Sequence, residues 1–474
     1  MNPALRHVFV FLGLAFLLWV TPKVVFIVRA DWHTRRSMWQ AWLIRRRWVR
    51  LSRMQGLAVI DPTPTLWMRF RYRQKAASMR RVVIPHIRIR PDSYGVIVTA
   101  NTLPRIGRDE WVRASPHLAN AWGCVRLAVT QEKPGQLRVR AVRRDPLIEP
   151  YHRVPTGVPP TELDRWEVGR DEYAESVFVR LSNVPGASIA GLPGYGKTSA
   201  INGMLADFAP SRAFQFAVVD GKGGADYEDL ADRFFAFAGD ELESANAVFT
   251  RLYELRRQRS AAIGTELRVK NLWHVGPSPS WPLVLLIVDE AHTYLSESKG
   301  DKNRMELVAE NRRLVEDVVK KGRSVGICTI LATQKSTGDA IPTGIRDVCP
   351  VALSFAQRTD EAAVAALGAD IRQFSEANPV SLQDPAYVGV ASMVVQGRPG
   401  FVRVRTPYVR DEDVARICQA AASLTRDPAT LLRETPRVAL YSPGIEPSAA
   451  SERGEDKSAE AVGHVTVPGD EDVA

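Results

Sequence analysis

From about residue 187 onward the chain alternates short, largely apolar runs with longer amphipathic stretches. The runs Ala187–Ala190, Phe214–Val219, Leu283–Val288, Gly326–Ala332 and Pro350–Ser354 show little polar alternation, the pattern of strands buried on both faces. Between them, Lys197–Phe208, Glu241–Ile263, Arg304–Gly322 and Asp360–Leu367 carry apolar residues at helical spacing. Strand and helix in turn predict an α/β fold, a parallel sheet between helices. Two further runs, Tyr387–Ala391 and Phe401–Val404, are expected as edge strands.

The first 150 residues follow other patterns. His86–Arg90 and Leu137–Val142 alternate apolar and charged positions, which predicts short strands with one wet face, and Arg108–Trp122 has helical spacing. A small α+β domain over residues 56–150 is therefore expected, closed by a Pro-rich linker at 151–166. Ahead of it, Leu5–Val28 is apolar except for Arg6, His7, Thr21 and Lys23, and a helix of that length can cross a hydrocarbon core about 30 Å thick. No A-x-A cleavage site follows, so residues 1–30 are expected to remain as a transmembrane anchor. Residues 31–55 interleave Trp32, Trp39, Trp42 and Trp48 with clustered arginines, which predicts a helix lying on the membrane surface with lipid rather than nucleic acid as its partner. The Arg-rich block belongs on the cytoplasmic side, making the chain a single-pass protein of the cell membrane with its C-terminal body in the cytoplasm. At the far end, a short helical segment at 409–440 precedes a tail, 441–474, rich in Ser, Ala, Gly, Pro and acids, which is expected to be disordered.

Charge sharpens this division. The net charge of +10 conceals +9 through Arg53 and −6 from Tyr441 onward, so the middle of the chain is only mildly basic. A basic balance is compatible with DNA, but most of it sits beside the apolar segment, where anionic lipid competes for it. Cys124, Cys328, Cys349 and Cys418 form no paired spacing and are read as reduced, buried thiols.

The motor region carries the chemistry. Gly191-Leu192-Pro193-Gly194-Tyr195-Gly196-Lys197-Thr198 satisfies GxxxxGK[ST] after an apolar run and at the start of a helix, with Ser199 next. Its glycines allow a tight loop whose N–H groups face phosphate, Lys197 is expected to reach the β- and γ-phosphates of ATP, and the Thr198 hydroxyl to ligate Mg²⁺. The run Leu283–Val288 ends in Asp289 and Glu290, the first placed to hold Mg²⁺ and the second to polarise the attacking water as general base. A third run ends at Thr333-Gln334, where Gln334 is either a γ-phosphate sensor or a turn amide. Asp220-Gly221-Lys222 ends another run, and Lys222 is open to phosphate, DNA, a neighbouring subunit or solvent. Arg323, Arg346 and Arg358 are candidates for a cation supplied across a subunit interface. Arg312, Arg313, Lys320 and Lys321, with Glu310 and Glu316 among them, read as a solvated helix face.

Together these residues resemble the FtsK/SpoIIIE DNA translocases: the glycine loop, Asp220-Gly-Lys222, Asp289-Glu290-Ala-His, Arg323-Ser-Val-Gly-Ile, Ala332-Thr-Gln334-Lys335 and Gly344-Ile-Arg346, over roughly Glu167–Arg405. The anchor and modest length make the chain most like plasmid-transfer and integrative-conjugative-element members from actinobacteria. The resemblance implies a RecA-like P-loop motor at 167–408, a homo-hexameric ring around double-stranded DNA, and ATP-driven transfer of that DNA between cells. It also makes Gln334 a sensor and Arg323 or Arg346 the trans-acting residue. Pro193 and Tyr195 depart from the small residues common in the family's loop, and residues 409–440 are short for a winged helix. Protein export by a type VII secretion-like ATPase is the alternative, set against the single P-loop of this chain.

Overall fold

The computed structural model describes residues 29–63, 81–223, 226–296, 301–334, 340–394 and 400–434. The expected span and acidic tail lie outside these residues, as does Lys335. Among the described residues no helix is long and apolar enough to cross a membrane.

A two-stranded ribbon, β1 (Val59–Asp61) with β2 (Arg81–Val83), leads into a four-stranded antiparallel sheet of order β3-β4-β6-β5. Its strands are β3 (Ile87–Pro91), β4 (Gly95–Asn101), β5 (Arg126–Lys133) and β6 (Gln136–Val142). Val96, Val98, Leu137 and Val139 line its packed face against Trp111, Leu118 and Trp122 of the Arg108–Trp122 helix.

The surface-helix expectation for residues 31–55 needs correction here. Helix Trp32–Met54 sends Ala41, Ile44 and Trp48 into this same core. Trp48 stacks on Trp111 at 5.4 Å and donates its ring N–H to the Pro85 carbonyl at 2.8 Å, so it is a core residue and not a lipid contact. Trp32, Trp39 and Trp42 do remain exposed. A 3.6-residue period necessarily divides four tryptophans between two faces, and only packing tells which is which. The wet face predicted for β6 is likewise partly dry. Arg140 is buried because it pairs with Asp92 at 2.8 Å and donates to the Tyr173 carbonyl at 2.7 Å, where the next hairpin covers it.

That hairpin, β7 (Arg165–Asp171) and β8 (Ser176–Arg180), opens a ten-stranded sheet and takes in the end of the expected linker. The remaining strands are β9 (Gly186–Ala190), β10 (Phe214–Asp220), β11 (Phe234–Ala238), β12 (Leu283–Asp289), β13 (Ile327–Thr333), β14 (Val351–Ser354), β15 (Val390–Val394) and β16 (Phe401–Arg405). Their order is β11-β10-β12-β13-β9-β14-β15-β16-β7-β8. The six from β11 to β14 run parallel, and β15, β16, β7 and β8 continue antiparallel. Alternate side chains of one strand feed two cores. Leu283, Leu285 and Ile287 of β12 join one, and Val284, Leu286 and Val288 the other. This is why the run reads as unbroken apolar sequence.

Helix Lys197–Phe208 contributes to the first core, with Val414, Ile417 and Cys418 of helix Asp411–Ala420 beside it; helices Leu242–Glu266 and Lys302–Gly322 contribute to the second. Residues 409–434 therefore pack as part of the motor, and the rest of the expected helical segment lies outside the described residues. Cys328, Cys349 and Cys418 are buried free thiols, burial pushing each up to about 12, and Cys124 is half-buried. Arg259, fully buried, donates to the carbonyls of Pro282, Val325 and Gly326 at 2.9–3.0 Å and ties together the starts of β12 and β13.

Candidate functional site

Because β9, β10, β12, β13 and β14 are parallel and in register, their C-terminal ends form one edge. That edge receives Gly191–Ser199, Asp220–Lys222, Asp289-Glu290, Gln334 and Phe355–Arg358.

The phosphate loop is braced from below and from one side. A Cβ on Gly191 would lie 2.6 Å from the Phe355 Cβ, and the Leu192 N–H donates to the Ala356 carbonyl at 2.9 Å. Tyr195 is used as an anchor: its hydroxyl donates to the Gln383 carbonyl at 2.7 Å and its own carbonyl accepts from the Gly389 N–H at 3.1 Å. Lys197 is buried, its ammonium donating to the Gly191 and Leu192 carbonyls at 2.8 and 3.1 Å. Burial lowers its pKa to about 8 against the opposing pull of Glu290 and Asp289.

Asp289 is wholly buried at the end of β12. Its Oδ2 lies 3.5 Å from the Thr198 hydroxyl, accepts from the Tyr227 hydroxyl at 3.2 Å and is 3.8 Å from the Lys222 ammonium. Burial raises its pKa above the ordinary carboxylate value, with Lys222 pulling the other way. A hydroxyl from the loop and a carboxylate from the end of β12, two strands away from β9, are the donor set with which a P-loop protein shares a magnesium ion with its nucleotide.

Glu290 follows in a left-handed backbone conformation, φ 49°, uncommon for a residue with a side chain and clustered at functional sites. Its Oε2 accepts the Gln334 backbone N–H at 3.0 Å and faces His292 Nδ1 at 3.2 Å. Its Oε1 is buried with no hydrogen-bond partner among the described residues. Burial works against ionisation, but the His292 and Gln334 hydrogen bonds and the charge of Lys197 outweigh it and hold the carboxyl below its usual value. One oxygen is thus fixed and the other is free to accept a proton.

The structure draws Glu290, Lys197, Thr198, Asp289 and Gln334 together, although Gln334 engages Glu290 through its backbone amide. It does not bring in Arg323 or Arg346. Arg323 precedes β13 and Arg346 precedes β14, at the opposite edge of the sheet, about 20 Å away for a seven-residue strand. Arg346 donates instead to the Ala365 carbonyl at 3.3 Å. Arg358, four residues past β14, is exposed on the nucleotide edge. Sequence reasoning missed Tyr227 and Phe355, and gave no role to His292, which lay within the quoted Asp289-Glu290-Ala-His motif.

Beside the loop opens a cleft of about 410 Å³ lined by Tyr151, Gly194, Gly196, Ser199, Val388 and Tyr408 among others. Arg405 builds its wall, donating to the carbonyls of Leu147, Ala386 and Val388.

Sheet, loop and paired carboxylates define a P-loop ATPase. No family model matches the chain. It is similar to two curated proteins named DNA translocase FtsK. One, from Leptospira interrogans serogroup Icterohaemorrhagiae serovar copenhageni, is 22% identical over 269 residues, covering 54% of this chain and 26% of the relative. The other, from Lactiplantibacillus plantarum, is 25% identical over 281 residues, covering 54% and 32%. The chain thus matches between a quarter and a third of those proteins' length. Among solved structures, the monomeric pCW3 conjugation coupling protein TcpA with ATPgS aligns at 15% identity and a TM-score of 0.48, over 74% of this chain and 93% of that one. The cytoplasmic domain of the Thermomonospora curvata type VII secretion ATPase EccC aligns at 17% identity and 0.45, over 61% and 34%.

Proposed function

We propose that the chain is a membrane-anchored, ATP-driven translocase of double-stranded DNA, working as a homo-hexamer and moving plasmid or integrative-element DNA between cells during conjugation. The observation that carries the reading is Glu290: one oxygen held by Gln334 and His292, the other buried with no hydrogen-bond partner among the described residues, directly after Asp289. The FtsK similarity supplies the choice of DNA as cargo, and the apolar segment 1–30 with the exposed Trp32, Trp39 and arginines supplies the membrane partner.

In this reading the loop N–H groups and Lys197 bind the β- and γ-phosphates, while base and ribose extend into the cleft beside Gly194 and Ser199. Thr198 and Asp289 hold magnesium, which when bound neutralises phosphate charge. Glu290 Oε1 takes the proton of the attacking water, and its Oε2 keeps the carboxylate aimed. Because that tether is the backbone of Gln334, movement of the strand end after hydrolysis is passed directly to the base.

The test is ATPase activity of a chain lacking residues 1–28, with and without double-stranded DNA. The deletion must stop ahead of Trp32, since Ala41, Ile44 and Trp48 belong to the small domain's core. Stimulation by duplex DNA is expected; stimulation by a secreted peptide and none by DNA would replace the reading with protein export.

A further inference from the structure

Asp220-Gly221-Lys222 is the motif whose role the nucleotide chemistry leaves open. Its loop is fixed tightly against the site. The Gly221 N–H donates to the Asp289 carbonyl at 3.1 Å, and a Cβ on Gly221 would lie 2.9 Å from both the Glu290 Cβ and the Thr293 hydroxyl, so only glycine allows this approach. The Lys222 N–H then donates to Asp220 Oδ1 at 3.0 Å, turning the chain back. The lysine ammonium comes to 3.5 Å from the Thr198 hydroxyl and 3.8 Å from Asp289 Oδ2, the two groups that would hold magnesium.

We propose that Lys222 is the resident cation of the metal site: its ammonium neutralises Asp289 before nucleotide arrives and withdraws when magnesium enters with ATP. The inference rests on the P-loop reading above. A buried carboxylate requires a counter-charge. Lys197 does not hydrogen-bond to Asp289, because its ammonium is spent on two loop carbonyls, and among the described residues the ion pair of Asp289 is with Lys222. An ammonium and a divalent ion cannot share so small a space without strong repulsion, so one must leave. The lysine keeps a partner when it withdraws: its ammonium already donates to the exposed Asp226 at 2.8 Å while standing 3.8 Å from Asp289. Tyr227, which donates to Asp289, precedes the short 3-10 helix ahead of β11, so arrival of the metal is felt at Lys222 and Tyr227 alike. Lys222 acts here as a positioning residue, setting how strongly nucleotide binding depends on metal.

The experiment measures affinity of the full chain for a fluorescent N-methylanthraniloyl ATP, in magnesium and in EDTA, for wild type, Lys222→Met and Lys222→Arg. The ratio of the EDTA to the magnesium dissociation constant is expected to rise about tenfold in Lys222→Met, since metal-free ATP loses its cation while magnesium loses its competitor. Lys222→Arg, keeping the charge, should stay near the wild-type ratio. Equal weakening in both conditions would mean that Lys222 contacts phosphate, and no change in either would make it a solvated loop residue; each result overturns the proposal. Wild type that binds in neither condition would instead remove the P-loop reading on which it stands.

Discussion

Replacing Glu290 by Gln separates the chemistry of this carboxylate from its structural work. The side chain does two things with two oxygens: Oε2 accepts the Gln334 N–H at 3.0 Å and faces His292 at 3.2 Å, while Oε1 is buried with no hydrogen-bond partner among the described residues. A glutamine can keep its carbonyl oxygen on the Gln334 N–H and turn its NH₂ into the Oε1 position. The tether survives, and stability should change by no more than about 1 kcal/mol. What is lost is an atom that can take a proton. Removing a positioned general base costs roughly 10² to 10⁴ in rate, about 3 to 5 kcal/mol on the barrier. Nucleotide affinity should hold or rise, since the P-loop and Asp289 are untouched. Glu290→Ala is the contrast, because it also orphans the half-buried Gln334 N–H and should cost a further 1–3 kcal/mol or so of stability. Steady-state phosphate release, binding of a fluorescent nucleotide and thermal melts of both variants make the comparison. Turnover of Glu290→Gln within about tenfold of wild type would refute the assignment of Glu290 as base. Loss of nucleotide binding in that variant would show that the carboxylate holds the loop rather than the water.

Lys197 has a pKa lowered to about 8 by burial, and phosphate needs its charged form. Affinity for ATP should therefore weaken as pH rises through that value, by about fivefold between pH 8 and 9, and Lys197→Ala should remove both the binding and its pH dependence. Arg358→Ala should lower turnover of the assembled motor more than Arg323→Ala, since only Arg358 lies on the nucleotide edge; mixing each variant with a Glu290→Gln chain and measuring turnover checks whether the arginine acts across subunits. Trp48→Ala should destabilise the protein by about 3–5 kcal/mol, because it empties a core position and strands the Pro85 carbonyl, whereas the exposed Trp32→Ala should change stability by about 0.5 kcal/mol or less; paired denaturant titrations decide.

The phosphate loop, Asp289-Glu290 and the buried strands were legible in the sequence because each is a local pattern. A glycine-rich turn between an apolar run and a helix, or a carboxylate pair ending such a run, has a geometry set within a few residues. Three strands of the ten-stranded sheet escaped that reading. β11 is a five-residue run that follows directly on a short 3-10 turn, β7 is broken by Arg165, Glu167, Arg170 and Asp171, and β8 is a five-residue strand at the edge of the sheet. Their pairing comes from partners distant in sequence, β16 with β7 for example.

What only the tertiary structure decided were relations between segments. The direction of the parallel strands sent Arg323 and Arg346 to one edge and Arg358 to the other, although all three follow or precede strands of similar appearance. The hold of Gln334 on Glu290 joins residues 44 apart through a backbone amide, which no side-chain motif encodes. Helix Trp32–Met54 shows the same limit in reverse: its arginines and tryptophans announce an amphipathic surface, but which tryptophan is core depends on where the sheet beneath it lies. Local sequence specifies what a segment can do; the choice among those options is made by the neighbours it is packed against.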